Sequence, residues 1–281
     1  AKLGIFVDWG PWSIASWCPY VKGARLYPDW YEYRCRTDAK TIAYHEKNWG
    51  RDFRSDDLLD LFKGVKFDAP ALMKTFRACG AKYVVPFLKH HSGFCLWDSS
   101  YTFRDTVDGA ARRDFAREMA DACRAEGLKF GFYTSQAGEW EYPILQDDGT
   151  IRIAVNTPER QRPYTPADEG ICSGKVAVKD FVHDYIVPQS TEFIDRYDPD
   201  IIWNDFDWMT DADRNGSYEV AAYFYNQAAG RKEVACNDRH GKARPEEIAG
   251  RFTKKPRSWL RTVRGDFFTD EWGDTEECLD P

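Results

Sequence analysis

The sequence predicts an α/β fold, a (β/α)8 barrel of the TIM type, and two observations lead to it. Short apolar runs with β character alternate with longer stretches of helical periodicity, which is typical of βα units around a parallel sheet. Each apolar run is followed directly by polar or aromatic residues, and functional side chains in such barrels sit at the C-terminal ends of the strands. No repeat or linker divides the 281 residues, so a single domain, 1–281, is expected.

The predicted strands are few for a closed barrel. They cover residues 3–7, 83–88, 129–133, 200–203, 234–236 and 266–268. Eight strands close a (β/α)8 barrel, and soluble proteins avoid open sheet edges. The barrel is therefore expected to be irregular, to be completed by a partner chain such as a second copy, or to belong to a longer chain.

Helices are expected between the strands. Asp108 is placed to cap a helix that runs to Glu126, with Gly127 just past its end. A second helix over 70–79 closes at a glycine in the same way. A third helical pattern covers 176–197, but Pro188 is expected to break or kink it.

The composition narrows the class of partner. With 43% apolar and 16% aromatic residues the chain can bury a large core, and its eleven Trp and fifteen Tyr exceed what an average core needs. Surplus aromatic side chains often line sugar sites. A net charge of −7 argues against nucleic acid, and no apolar run reaches the length of a membrane span. Secreted, periplasmic and cytoplasmic locations all stay open.

Neither a metal nor a cofactor is expected. The eight cysteines include no C-x-x-C pair, and His90, His91 and Asp205 lack the spacing of a ligand set. No phosphate-binding glycine loop is present.

The segment "DIIWNDFDWMTD", residues 200–211, crowds carboxylates and tryptophans directly after an apolar strand. A carboxylate held there beside aromatic rings is suited to attack an oxocarbenium-like sugar carbon, and either Asp205 or Asp207 could do so. Taken alone, the segment is better explained as a helix cap or a solvated acidic loop.

Six ordered motifs give the segment its context, and together they resemble the α-L-fucosidases of glycoside hydrolase family 29 over nearly the whole chain. They are "GIFVDWGPWS", "KHHSGFCLWDSS", "GLKFGFYTSQAGEW", "PDIIWNDFDW", "VACNDRHG" and "GDFFTDEW". The resemblance implies a TIM-like catalytic barrel that acts on fucosylated glycans without a cofactor. The family's C-terminal β-sandwich has no counterpart in the sequence.

The resemblance also implies roles for individual residues. Asp205 matches the nucleophile of a retaining exo-hydrolase, which forms a covalent glycosyl-aspartate. Glu271 matches the acid/base, with Glu277 as the alternative. The positions that contact the sugar are Asp8, Trp9, Asp29, Trp30, His90, His91, Tyr133, Trp203 and Arg239.

Three positions depart from the family pattern. Asp8 stands where the family has His, Asp29 where it has Glu, and Ser92 where it has Asp. A carboxylate in place of an imidazole removes a hydrogen-bond donor and adds negative charge. The departures favour an altered recognition shell, and they leave two alternatives open: a glycosidase for a modified, amino or acidic sugar, and a non-catalytic carbohydrate-binding barrel.

Overall fold

A parallel sheet of five strands organises the protein. The computed structural model describes residues 3–22, 26–135, 139, 142–155, 157–166, 174–205, 212 and 214–241. The eight strands in chain order are β1 (Gly4–Val7), β2 (Tyr83–Lys89), β3 (Lys129–Thr134), β4 (Tyr142–Leu145), β5 (Ile151–Val155), β6 (Thr157–Pro163), β7 (Ile201–Asn204) and β8 (Ala235–Cys236). The parallel sheet has the order β1-β2-β3-β7-β8.

Each strand of this sheet pairs in parallel with its neighbour in chain order. The α/β class and five of the six predicted strands are thereby confirmed, and the sixth, over 266–268, lies outside the described residues. Because all five strands point the same way, their C-terminal ends meet along one edge of the sheet. The sheet order does not reverse, unlike that of a doubly wound fold.

Eight α-helices lie in the described residues. They are α1 (Trp12–Ala15), α2 (Tyr31–Thr37), α3 (Ala39–Trp49), α4 (Leu58–Leu61), α5 (Ala69–Ala78), α6 (Phe115–Ala125), α7 (Val187–Tyr197) and α8 (Ser217–Ala228). None of the helices in this part of the chain is long and apolar enough to cross a membrane. Helix α5 matches its prediction: the Asp68 side chain accepts a hydrogen bond from the Ala71 N–H at its start, and Gly80 follows with a φ of 92°.

Two predicted helix boundaries were wrong. Helix α6 begins after Asp114, whose side chain accepts from the Arg117 N–H at 2.8 Å, rather than after Asp108. Arg112 adopts a φ of 52°, a left-handed conformation that no helix interior can contain. The third predicted helix, over 176–197, begins only at Val182: a π-helical turn, Val182–Ile186, continues directly into α7. Pro188 lies at the second position of α7, where the backbone has just changed from π to α geometry.

The two faces of the parallel sheet carry different cores. On one face Val84, Phe130, Phe132 and Ile202 pack with apolar residues of α5, α6, α7 and α8. On the opposite face the side chains are mainly aromatic. They include Phe87 and Tyr133, with Tyr83 and Trp203 partly buried against them, and residues of α1, α2 and α3 belong to the same cluster. Tyr133 and Trp203 of this aromatic face lie close to the C-terminal ends of β3 and β7.

A second sheet was not predicted. Strands β4, β5 and β6 form an antiparallel sheet between β3 and β7, and Tyr142 and Ile144 of β4 pack on Phe181 and Tyr185 ahead of α7. The sequence carried a signal for it, since "QDDGT" is a turn between two apolar runs. Its strands escaped prediction because they do not follow the βα alternation.

Candidate active site

Asp205 lies at the C-terminal end of β7, between two hydrogen-bond donors. The Tyr133 hydroxyl, at the end of β3, donates to Asp205 Oδ2 at 2.8 Å. The Arg239 guanidinium, three residues beyond β8, donates to Asp205 Oδ1 at 2.7 Å. The Tyr133 ring is buried, and burial together with the Asp205 charge raises the pKa of its hydroxyl above the usual value. Tyr133 therefore stays protonated and acts as a donor.

Backbone contacts between neighbouring strands fix the position of this carboxylate. The Asp205 N–H donates to the Thr134 carbonyl at 3.2 Å, which extends the ladder between β3 and β7 by one residue. On the other side the Asn237 side chain accepts from the Asn204 N–H at 2.9 Å and donates to the Asn204 carbonyl at 2.8 Å. These bonds hold the residue before Asp205 between two strands.

The paired histidines lie at the end of β2, and both are buried. His90 Nε2 is 3.2 Å from Asp29 Oδ2, and its ring stacks on Phe87. Burial, with the neighbouring His91, lowers the pKa of His90 well below its usual value, so its imidazole is neutral. The ring of Trp30 lies 5.6 Å from that of His91, so the structure brings these predicted residues together.

Two further carboxylates face the same region. Asp29 is 7% exposed, and burial followed by repulsion from Asp8 raises its pKa to about 8. The Asp8 carboxylate accepts a hydrogen bond from Trp12 Nε1 at 3.2 Å. Desolvation of this carboxylate by the surrounding protein atoms raises its pKa to about 7. Asp8 is nevertheless open to solvent, and water counteracts part of that loss. Because Asp29 is buried and Asp8 is exposed, desolvation raises the pKa of Asp29 more strongly than that of Asp8.

A buried ion pair supports the histidine segment. Lys89 Nζ lies 2.6 Å from Glu139 Oε1, with both side chains almost inaccessible, and it donates to Gln189 Oε1 at 2.6 Å. Gly93, which follows the histidines, has a φ of 73°, and a Cβ built on it would come within 2.3 Å of Glu139 Oε2. A larger residue here would be strained by the positive φ and would displace the Glu139 carboxylate from its ion pair.

The remaining predicted positions divide into three groups. Trp203 lies beside Tyr133 in the sheet register, and its ring is 4.7 Å from Phe6 on the aromatic face. Trp9 stacks on Phe67 at 4.6 Å, among the rings of the helix-covered core. Glu271, Glu277 and Asp207 lie outside the described residues.

One acidic cluster bears on the expectation that no metal is bound. The side chains of Asp98, Asp105 and Asp108 place ligand atoms within 4.8 Å of one another. Lys175 Nζ lies 2.5 Å from Asp108 and 3.5 Å from Asp105. A lysine ammonium therefore already supplies positive charge to this cluster.

Sequence reasoning missed the partners of the predicted residues. Asn204 Nδ2 donates to His240 Nδ1 at 2.7 Å, and the Asn215 amide donates to the His240 carbonyl at 2.9 Å. Asn215 opens a glycosylation sequon, but it is 3% exposed, so this contact is its structural role. The one sequence signal for this network was the position of Asn204 at the end of β7 and of His240 shortly after β8.

Comparison with known proteins gives a consistent result. The family model described as Alpha-L-fucosidase matches residues 1–274. Human plasma alpha-L-fucosidase is 29% identical over 243 residues, which cover 86% of this chain and 45% of that protein. The plasma alpha-L-fucosidase of Pongo abelii is 28% identical over 255 residues, with coverages of 90% and 48%.

Solved structures give the same assignment. The Thermotoga maritima alpha-fucosidase in complex with fucose has a TM-score of 0.65 at 32% identity, over 85% of this chain and 52% of that one. The complex of that enzyme with a mechanism-based inhibitor has a TM-score of 0.63 at 31% identity, with the same coverages. The chain thus spans about half the length of the relatives it matches. Since the family model extends over nearly all of its residues, the chain belongs to the alpha-L-fucosidase family of glycoside hydrolases.

Proposed function

We propose that this chain is the catalytic barrel of a retaining exo-glycosidase of α-L-fucosidase type, with Asp205 as the nucleophile. The observation that carries the proposal is the placement of Asp205 at the C-terminal end of a parallel strand, with Tyr133 and Arg239 each donating to one of its oxygens. A solvated acidic loop would not need a donor on each side. The sequential strand order supports a barrel, in which catalytic groups come from the ends of several strands.

The first step is attack on the anomeric carbon by Asp205. One carboxylate oxygen forms the bond to carbon, and the glycosidic bond breaks on the opposite face. The second oxygen becomes the carbonyl of the ester. Because Tyr133 and Arg239 hold both oxygens, the plane of the carboxylate is set before substrate arrives, which reduces the entropy lost on the way to the transition state.

The leaving oxygen needs a proton as the glycosidic bond breaks. We assign this role to Glu271, with Glu277 as the alternative, from the family resemblance. The same residue then removes a proton from water, and the resulting hydroxide releases the sugar from Asp205. This mechanism requires the two carboxyl groups to be about 5 to 5.5 Å apart, rather than the roughly 6.5 to 9.5 Å of an inverting pair.

Hydrolysis of 4-nitrophenyl α-L-fucoside, followed by proton NMR, tests the proposal. The first product should be the α anomer of the free sugar, before mutarotation. The Asp205→Asn variant should lose about three orders of magnitude or more of kcat while its thermal melting profile stays that of the wild type. Inversion at the anomeric carbon, or an Asp205→Asn variant that retains activity, would contradict the mechanism.

A sugar-binding protein without catalysis is the second candidate, because the positions of Asp8, Asp29 and Ser92 depart from the family pattern. The Glu271→Gln and Glu277→Gln variants separate the two. In an enzyme, one of them should lower kcat on a substrate with a poor leaving group far more than on the nitrophenyl substrate, because only the former needs the proton. A binding protein would bind fucoside and release no nitrophenol.

A further inference from the structure

Asp8 and Asp29 give one wall of the site two acidic groups that the proposed reaction does not require. The Asp29 side chain is 9% exposed, and its Oδ2 lies 3.2 Å from His90 Nε2. Its other oxygen, Oδ1, is enclosed and accepts no hydrogen bond from another described residue. A buried carboxylate oxygen without a donor is costly, which is why such atoms in native proteins call for a ligand or a functional reason.

Among the residues that the structure describes, the acidic groups around this wall are not matched by an equal number of cations. Asp29 is repelled by both Asp8 and Asp205, and its attraction to Arg34 is weaker than its repulsion from Asp8. Arg239 is engaged with Asp205, and His90 is neutral. Because no cation among the described residues offsets their desolvation, Asp29 and Asp8 have raised pKa values and keep their protons to a higher pH than an ordinary carboxyl group. A cation bound there would favour their ionised forms.

We infer that this wall binds a protonated amine on the substrate, so that the favoured sugar is an amino-deoxy analogue of fucose. The inference rests on the proposed function for the position of the sugar ring. An ammonium group carries three N–H donors and one positive charge. It supplies a donor to Asp29 Oδ1, reaches the solvent-facing carboxylate of Asp8, and lowers the repulsion between the two acids. A sugar carboxylate or sulfate would add to that repulsion.

A neutral hydroxyl is the competing ligand, and charge discriminates between the two. A hydroxyl donates one hydrogen bond but brings no positive charge to stabilise the ionised forms of Asp29 and Asp8. The N-acetyl derivative of an amine keeps the nitrogen but loses its charge. Free and acetylated forms of one sugar therefore isolate the contribution of the cation.

The experiment compares 4-nitrophenyl α-L-fucoside with its analogues bearing an amine at C2, C3 or C4, each as the free amine and as the N-acetyl derivative. At one position the free amine should exceed both its acetylated form and the fucoside in kcat/KM by about tenfold or more. Asp29→Asn and Asp8→Asn should each remove that preference. Asp60→Asn, which removes an exposed carboxylate of α4, should keep it. Asp8→Asn retains the acceptor for Trp12, so the test does not depend on a variant at the buried position folding.

Calorimetry of the corresponding methyl glycosides binding to the Asp205→Asn variant distinguishes failure of the cation site from failure of the proposed hydrolysis. Turnover of fucoside with poorer turnover of every free amine overturns the inference and leaves the proposed function standing. Absence of all turnover, together with binding of one free amine about tenfold tighter than its N-acetyl form, overturns hydrolysis and supports the cation site. Neither turnover nor selective binding overturns both.

Discussion

The side-chain amide of Asn237 makes two hydrogen bonds to the backbone of Asn204: it accepts from the N–H at 2.9 Å and donates to the carbonyl at 2.8 Å. Both residues are buried, and Asp205 is the next residue along the chain. The pair therefore joins the ends of two strands at the point where the proposed nucleophile leaves the sheet. Asn237 acts on the reaction through the position of Asp205.

The Asn237→Asp variant tests this positioning role. Aspartate still accepts from the Asn204 N–H, but its second oxygen faces the Asn204 carbonyl, and both atoms are acceptors. We expect kcat on an aryl fucoside to fall by about 10- to 100-fold with KM changed much less, because misplacement of a reacting group is costly. Serine at this position should cause a similar loss. Equal kcat values for Asn237→Asp and wild type would contradict the positioning role.

Removal of one donor to the nucleophile should lower activity without unfolding the protein. Tyr133→Phe keeps the buried ring and removes the hydroxyl that donates to Asp205 Oδ2. We expect kcat/KM to fall by about 10- to 1,000-fold, because the hydroxyl holds the attacking carboxylate in position. Tyr197→Phe is the matched control, since its buried hydroxyl donates to Asp114 at 2.6 Å. The control should cost about 1 kcal/mol of stability and no activity, and an equal loss of activity in both variants would count against a specific role for Tyr133.

The raised pKa of Asp29 predicts how stability changes with pH. Its pKa is about 8 in the folded protein against 3.8 ordinarily, so between these values the folded state binds more protons than the unfolded state. The contribution of this group is fully present below pH 4 and is lost as pH rises through 8. Asp29→Asn lacks the titration, so its stability relative to wild type should rise across this window by an amount on the order of a few kcal/mol.

Urea unfolding at several pH values measures that difference. Asp148 offers a control of opposite sign, because hydrogen bonds from Thr150 lower its pKa. Asp148→Asn should lose stability relative to wild type as pH rises through the ordinary range of a carboxyl group. A difference for Asp29→Asn that is flat between pH 4 and 8 would show that Asp29 titrates alike in both states.

The free energy of unfolding should fall less when both charges of the buried Lys89–Glu139 pair are removed than when only one is removed. Lys89→Met leaves the Glu139 carboxylate enclosed without its cation, and such variants lose about 3 to 5 kcal/mol. The double variant with Glu139→Gln should recover much of that loss. Denaturant unfolding of the two single variants and the double variant gives the coupling energy, and a double variant as unstable as the sum of the singles would rule out the coupling.

The sequence predicted the parallel strands well because each is an apolar run that ends in polar residues, such as His90 after β2 and Asp205 after β7. It predicted helix starts less well. Asp108 and Asp114 are equally good caps by residue type, and the choice between them depended on the left-handed turn at Arg112, which has no sequence signature. The contacts of His240 and the enclosure of Asp29 depend on distant strands, so single-residue patterns contained no trace of them.

The sequential order of the parallel sheet has a consequence for synthesis of the chain. Each strand pairs with one that left the ribosome earlier, so the sheet can grow from one edge without waiting for a later segment. Tyr133 is made before Asp205, and Arg239 after it. The carboxylate can therefore meet its tyrosine while the arginine is still being translated, and Asp205 gains its second donor only when the nascent chain has delivered β8 and the residues just beyond it.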